Sequence, residues 1–332
     1  MKKIKIGQLG IGHNHGEGKM RAVRGLPDLF EVVGYSEGSE EWIKKRGNLP
    51  CYRDLPRLSE EELFSRSDAI LVETDVWDLT EAGQRCINAG LPIHLDKPAG
   101  GTFKEFQRLI ESARTRNLPL QMGYMYRYNH ALCRLKSMVK EGRLGEIYQI
   151  DAEMSHFHNP EYRKWLANFQ GGTMFIFGSH LIDLIFDLLG EPEKVHSFFK
   201  QTGYQGVFSE DNCLCVMEYE KTLARITDLS VEQGGFQLRR FAVMGSLGSV
   251  EIQPIEQVTA MTLYDKDGIH PIDVPDSGGA TRYDDMMRDF YRSVTEGNQG
   301  AFSYDYELAL QRTLYRAIGK PVYGKDKEEG KE

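Results

Sequence analysis

The sequence has no run long and apolar enough to cross a bilayer. The longest candidate, residues 174–189, is broken by Gly178, His180, Asp183 and Asp187. It opens on neither an apolar leader core nor a twin arginine, so the expectation is a cytoplasmic protein with no membrane partner. Positive charge is not in excess either. Lysine and arginine number 41 against 49 acidic residues, a net charge of −8, and no long basic run occurs. That balance argues against nucleic acid as a partner. Cysteine is scarce and odd in number: Cys51, Cys86, Cys133, Cys213 and Cys215. Only the last two are close, in an apolar alternating run, which reads as strand residues in a reducing compartment rather than a disulfide framework or a metal site. No internal repeat is visible. The tail, residues 325–332, is charged and glycine-containing and reads as frayed and functionally silent.

What is present begins at once. Ile4, Ile6 and Leu9 read as a short buried strand, Gly10 and Gly12 follow, and residues 19–24 have helical character. Strand, glycine turn and helix form the layout that seats a pyrophosphate on a helix N-terminus. The glycines let the backbone approach the phosphates, and the N–H groups there bind the anion. The third small residue of that fingerprint would fall at position 15, where His15 stands, with Gly16 one residue late. Residues 31–37 predict a second strand ending in Glu37. Glu37 is placed to accept hydrogen bonds from the adenosine ribose hydroxyls, roughly 20 to 25 residues past the glycines. A carboxylate there repels a 2′-phosphate and favours NAD over NADP. The alternative is a solvated acid in a loop with Glu40 and Glu41.

With 332 residues, two domains are expected. Strands over 68–74, 91–95 and 118–123 alternate with helices over 60–64, 79–89 and 104–116. The first of these strands is a near-continuous apolar run, as in a parallel sheet covered on both faces. Residues 1–122 therefore predict a doubly wound α/β, Rossmann-type domain that binds a dinucleotide. Residues 123–332 change character. Helices over 129–141 and 178–189 flank a strand over 147–154 and a polar aromatic loop over 155–170. Strand-like alternation with glycine turns then runs from 195 to 274, and two helices follow, over 282–295 and from about 306 to 318. This predicts an α+β domain for substrate and self-association, with an open, mostly antiparallel sheet.

Asp96-Lys97-Pro98 ends a strand on the carboxyl edge of the first sheet, where open α/β folds bind ligands. Pro98 keeps Lys97 out of the helical region. Seen alone, Lys97 is either a crevice cation or a surface loop lysine.

The order and spacing of several segments settle the context. Gly10-Ile11-Gly12, Glu37, Thr74, Asp96-Lys97-Pro98, Gly123-Tyr124-Met125-Tyr126-Arg127-Tyr128, Gly142-Arg143-Leu144-Gly145-Glu146-Ile147, and Gly171-Gly172 through Gly178-Ser179-His180-Leu181-Ile182-Asp183 resemble the glucose-fructose oxidoreductase / inositol dehydrogenase / MocA (Gfo/Idh/MocA) family over nearly the whole chain. The resemblance implies a two-domain enzyme with a nicotinamide cofactor that moves a hydride to or from a sugar, cyclitol or polyol carbon. It implies a homodimer or homotetramer formed through the second domain's sheet. It also implies a cofactor site of Gly10, Ile11, Gly12, His13, Asn14, His15, Glu37, Thr74, Asp75, Asp96, Lys97 and Arg127. Lys97 would orient and polarise the reacting hydroxyl. His180 would be the general acid/base, a task suited to imidazole near neutral pH, with Asp183 one turn further along the same face.

Some positions depart from the family pattern. A second aspartate four residues before the histidine is replaced by Ile176, and a Trp-Arg pair by Trp165-Leu166. The strand-end Thr-Pro-Asn reads Thr74-Asp75-Val76, and the histidine after it is Leu79. Either His180 works alone with water or Tyr126, or the chemistry differs. The alternatives are a lyase or epimerase that keeps NAD bound for a transient oxidation, and an NAD-binding regulatory protein without catalysis. His-x-His occurs twice, at His13/His15 and His156/His158, with no third ligand near either in the sequence, so no metal is expected. His13 and His15 line the cofactor turn. His156 and His158 share an aromatic loop with Phe157, Tyr162 and Trp165, which either roofs a sugar or packs as an ordinary hydrophobic cluster.

Overall fold

The computed structural model describes residues 2–256, 260–274 and 281–322. The tail expected to be frayed lies outside them. The chain divides into two compact units, Met1–Met125 with Gly278–Leu308, and Tyr126–Ser277 with Ala309–Glu332.

The first unit runs β1 (Ile4–Leu9), α1 (Gly16–Gly25), β2 (Phe30–Ser36), α2 (Glu40–Arg46), α3 (Glu60–Arg66), β3 (Ala69–Val72), α4 (Leu79–Asn88), β4 (Ile93–Leu95), α5 (Phe103–Arg116) and β5 (Leu120–Met122). Its five strands form one parallel sheet in the order β2-β1-β3-β4-β5. All four residues of β3 are fully buried, as the continuous apolar run requires. Ser59 with Glu62 and Thr102 with Glu105 close capping boxes on α3 and α5, satisfying N–H groups that the helices leave unpaired. Phe103, Phe106, Ile110 and Ala113 give α5 its buried stripe. The strand order reverses direction between β1 and β3, and the crevice outside such a switch point is the usual ligand site of an open α/β sheet.

The second unit contains α6 (His130–Lys140), β6 (Ile147–Glu153), α7 (Pro160–Leu166), α8 (Ser179–Leu189), β7 (Lys194–Lys200), β8 (Asn212–Glu218), β9 (Leu223–Leu229), β10 (Arg240–Gly245), β11 (Gly248–Ile252), β12 (Ala260–Asp265) and β13 (Gly268–Asp273). The eight strands form a sheet in the order β13-β12-β11-β10-β6-β9-β8-β7. Every pairing is antiparallel except β6 with β9. The α8 helix, buried from Ser179 through Phe186, packs on β6 and β9. Strand register places Phe198, Leu223, Tyr264 and Ile269 on the opposite face, where all four are exposed.

Two helices close the described chain, α9 (Asp284–Glu296) and α10 (Tyr304–Ala317). The single boundary expected at 122/123 leaves α9 in the second domain, whereas its contacts belong to the first unit. It buries Met286, Met287 and Phe290, sets Phe290 against His94 at 5.9 Å, and donates the Tyr291 hydroxyl to the Lys2 carbonyl at 2.8 Å.

The doubly wound sheet and the mixed, mostly antiparallel one are as the sequence predicts. Two short helices are not. Glu40 and Glu41, expected in a loop, open α2 behind the N-cap Ser39, and residues 160–166 of the expected aromatic loop form α7 behind Asn159 and Pro160. A π-helical turn, Met174–Gly178, precedes α8.

Candidate active site

In the first unit the glycine turn lies at the switch point. Gly10 has φ +83°, and a Cβ there would stand 2.6 Å from the Thr74 backbone at the end of β3. Only glycine permits both the backbone angle and the approach. Beside it opens a groove of about 790 Å³ lined by Gly10, Ser36, Glu37, Arg57, Thr74 and Arg85, among others. That volume suits an adenine nucleotide half. Glu37 stands at its rim as expected, and its carboxylate accepts from the Ile11 N–H at 2.8 Å and the Ser39 N–H at 2.7 Å.

Side chains that the sequence did not single out cover the rest of the turn. Trp42 on α2 lies against Gly12 and donates Nε1 to Asp75 at 2.9 Å. Arg46 stacks on Trp42 at 4.8 Å and donates to the Ile11 carbonyl at 3.0 Å, to the His13 carbonyl and to Asn14 Oδ1 at 2.8 Å. Their omission follows from reading α2 as a loop. Ser39, the acids at 40 and 41 and the basic run 44–46 carry a cap-and-dipole pattern that would have found it.

Beneath the turn is a buried cluster of charge. Asp96, at the end of β4, has His13 Nδ1 at 2.7 Å, His15 Nδ1 at 3.1 Å and the Lys19 ammonium at 2.7 Å. Lys19 also reaches Glu73 Oε1 at 2.9 Å. Asp96, Lys19 and Glu73 are fully buried, and Lys97 is 2 % exposed. Burial alone would raise the Asp96 carboxyl, but His13, Lys19 and His15 around it hold it well below the usual range. Burial, then the charge of Asp96, drives Glu73 well above its usual value. Burial also lowers both histidines, His15 to about 3, despite the aspartate. The Lys97–Pro98 peptide is cis. Lys97 is therefore no surface lysine: it follows a carboxylate whose charge is already balanced by Lys19.

The donor atoms of His13, His15 and Asp96 lie within 4.8 Å of one another, so the third partner missing from the sequence around His13 and His15 is Asp96. Lys19 already supplies a cation there. A divalent ion about 5 Å from one ammonium meets repulsion on the order of 6 kcal/mol at an effective dielectric of 20. The cluster reads as a hydrogen-bonded charge network rather than a metal centre.

In the second unit, the catalytic and substrate candidates form separate groups. His180 is 3 % exposed and meets the Tyr126 ring edge-on at 4.9 Å. The Tyr126 hydroxyl bonds Glu256, which also binds Arg239 at 2.9 Å. Asp183, expected to serve His180, and Arg127, expected at the cofactor, bind each other. Arg127 Nε and Nη2 reach the Asp183 carboxylate at 2.9 and 2.7 Å, with both side chains buried. The buried, bidentate ion pair fixes the positions of both groups.

The aromatic loop does converge. His158 packs against both Tyr162 at 4.6 Å and Phe177 at 4.7 Å, and Trp165 lies 5.1 Å from Tyr162. His156 stacks on Phe236 at 4.4 Å, and the Arg239 guanidinium also lies over the Phe236 ring. Burial holds His158 down at about 3. The fully buried Arg163 of α7 pins the loop, donating to the carbonyls of His158 at 3.1 Å and Tyr204 at 2.9 Å. Phe177, Phe236 and Arg239 come from distant segments, so spacing along the chain could not reveal them.

A parallel sheet with a glycine turn at its switch point, joined to a wide mixed sheet, defines a two-unit chain of the Rossmann-like α/β class. Residues 133–251 match the model of the GFO/IDH/MocA C-terminal domain. The chain is 27% identical over 199 residues to an uncharacterised oxidoreductase of Schizosaccharomyces pombe, covering 59% of this chain and 54% of that one. It is 24% identical over 199 residues to the scyllo-inositol 2-dehydrogenase (NADP(+)) IolW of Bacillus subtilis, covering 58% and 53%. The chain thus spans about half the length of the curated relatives it matches. The crystal structure of a putative NADPH-dependent oxidoreductase from Desulfitobacterium hafniense shares the fold, with TM-score 0.83, 18% identity and coverage of 96% and 95%. The model that matches residues 133–251 is of the family that the motifs resemble. Among the described residues, no helix is long and apolar enough to cross a membrane.

Proposed function

We propose that this chain is an oxidoreductase that transfers a hydride between NAD and the hydroxyl-bearing carbon of a sugar, cyclitol or related polyol. The observation that carries this reading is the groove of about 790 Å³ lined by Gly10, Glu37 and Thr74, with Lys97 following β4 on the carboxyl rim of the same sheet. The bound dinucleotide supplies the hydride acceptor or donor. Gly10, Ile11 and Gly12 let the backbone approach its phosphates, and Glu37 accepts the ribose hydroxyls. Glu37 also disfavours a 2′-phosphate, which makes NAD the preferred cofactor even though two of the similar proteins are named for NADP(H).

Lys97 orients and polarises the substrate hydroxyl. His180 is the second unit's candidate to exchange its proton. His156, His158, Tyr162 and Trp165 offer stacked faces and ring nitrogens, the surface that a polyhydroxy ring recognises. The chain associates as a dimer or tetramer through the exposed face of its eight-stranded sheet.

The test is a panel of polyols and sugars, inositols included, with NAD and with NADP, followed by NADH or NADPH absorbance. Turnover is expected with at least one of them. Lys97→Ala should cost about 100-fold or more in kcat with NAD affinity intact. Unchanged turnover in that variant would remove Lys97 from the chemistry.

A further inference from the structure

We propose that Trp42 is a latch across the dinucleotide groove. Its indole covers the glycine turn, and α2 must carry it away before a pyrophosphate can seat there. This rests on the dinucleotide reading and adds to it a step that controls how tightly and how fast the cofactor binds.

Gly12 is the second glycine of the fingerprint, the one whose missing side chain leaves room for the pyrophosphate to meet the backbone. In this chain that room is taken. A Cβ on Gly12 would stand 2.8 Å from Trp42 Nε1 and 3.2 Å from the two ring carbons beside it. The same Nε1–H donates to Asp75 Oδ2 at 2.9 Å. Trp42 comes from α2, which follows β2, and Asp75 comes from the end of β3, next to the Thr74 backbone that crowds Gly10. Since β2 and β3 flank β1 in the sheet, the bond joins the two banks of the groove across the turn between them.

The forces that hold the indole are polar and local. A carboxylate accepts its N–H, and the Arg46 and Lys45 cations lie over its ring at 4.8 and 5.0 Å. None of the seven residues of α2 is buried, so the helix has no anchor in the core and belongs to the low end of local stability. Its root is tied to the ribose acid. Glu37 accepts from the Ser39 N–H at 2.7 Å and from the Ile11 N–H at 2.8 Å, and Ser39 Oγ accepts from the Trp42 N–H at 3.3 Å. A ribose hydroxyl arriving at Glu37 therefore engages the group that fastens α2 to the turn. A ligand that binds only the unlatched arrangement has its affinity reduced by the unlatched fraction. A latch shut about nine-tenths of the time weakens NAD about tenfold.

The experiment compares the full-length wild type with Asp75→Ala and Trp42→Phe, which remove the bond from opposite banks. Calorimetry reads NAD affinity and stopped-flow mixing reads the association rate. A Trp77→Phe/Trp165→Phe background leaves Trp42 as the sole tryptophan, and its emission reports the indole directly. Both latch variants are expected to bind NAD about threefold to tenfold more tightly than the wild type, and faster. Asp75→Asn, which keeps an uncharged acceptor, should fall between. Saturating NAD should move the Trp42 emission to longer wavelength, and Asp75→Ala should produce that shift without NAD. A residue that only supports the turn, or that lines the bound cofactor, would lower affinity when truncated. Affinity equal to or weaker than wild type in both latch variants, or Trp42 emission unmoved by NAD that calorimetry shows to be bound, overturns the latch and leaves the dinucleotide reading intact. Failure of the wild type and of every latch variant to bind NAD overturns that reading itself.

Discussion

At the scale of single residues, the cluster of Lys19, Glu73, Asp96, His13 and His15 concentrates more buried charge than any other part of the described first unit. Removing one member of a buried ion pair strands the other. Lys19→Met should therefore cost about 3–5 kcal/mol and lower the melting temperature clearly. Burial and the charge of Asp96 push Glu73 well above its usual value, and Glu73→Gln keeps the acceptor that Lys19 uses, so it should cost less than Lys19→Met. Equal melting temperatures for Lys19→Met and wild type would contradict the network. The histidines add a pH dependence. Burial holds His15 and His158 at about 3, so each stays neutral in the folded protein while the unfolded chain takes up a proton below about 6.5. Their contribution is complete above pH 6.5 and is lost on acidification towards 3, at about 1.4 kcal/mol per pH unit for each ring. Asp96 acts lower, since its depressed pKa stabilises above the unfolded value near 3.9 and that gain disappears as pH falls below it. Urea unfolding between pH 7.5 and 5 should show the histidine slope, and His158→Phe should flatten it.

At the scale of elements, what was legible in the sequence was what local pattern controls. Residues 104–116 have a helical stripe with caps at both ends, and the helix is there as Phe103–Arg116. Gly10 before a helix and Asp96-Lys97-Pro98 after a strand marked the sheet's carboxyl rim. What was not legible depended on partners far apart in the chain. Lys19 meets Glu73 and Asp96 only after three strands align, and nothing in the run 19–24 distinguishes it from a surface lysine. Asp183 sits one turn from His180, and its bond to Arg127, 56 residues away, is a contact that spacing does not reveal. The helices α2 and α7 are each seven residues, too short for periodicity to show, although Ser39 and Asn159-Pro160 mark their starts. The glycine turn yields its own prediction. Gly10→Ala combines a positive φ with a clash against β3, and should cost about 1–3 kcal/mol and weaken NAD binding. Full stability and affinity in that variant would contradict the tight turn.

At the scale of the whole molecule, the second sheet has a face left exposed among the described residues. Phe198, Leu223, Tyr264 and Ile269 are exposed on it, beside ion pairs of Asp151 with Arg225 and Arg240. Apolar anchors within a charged surround are what the proposed association through this face would use. Native mass measurement should find a dimer or tetramer, and the Phe198→Asp/Leu223→Asp double variant should run as a monomer with secondary structure unchanged. A monomeric wild type would contradict that assignment. The first unit raises the question on which every functional statement depends, namely whether the groove between Gly10, Glu37 and Thr74 takes an adenine dinucleotide. Calorimetric titration of NAD and NADP into the full-length protein and Glu37→Ala answers it. One NAD per chain, bound more tightly than NADP by a margin that Glu37→Ala narrows, is the predicted result. Absence of binding by either dinucleotide would contradict it.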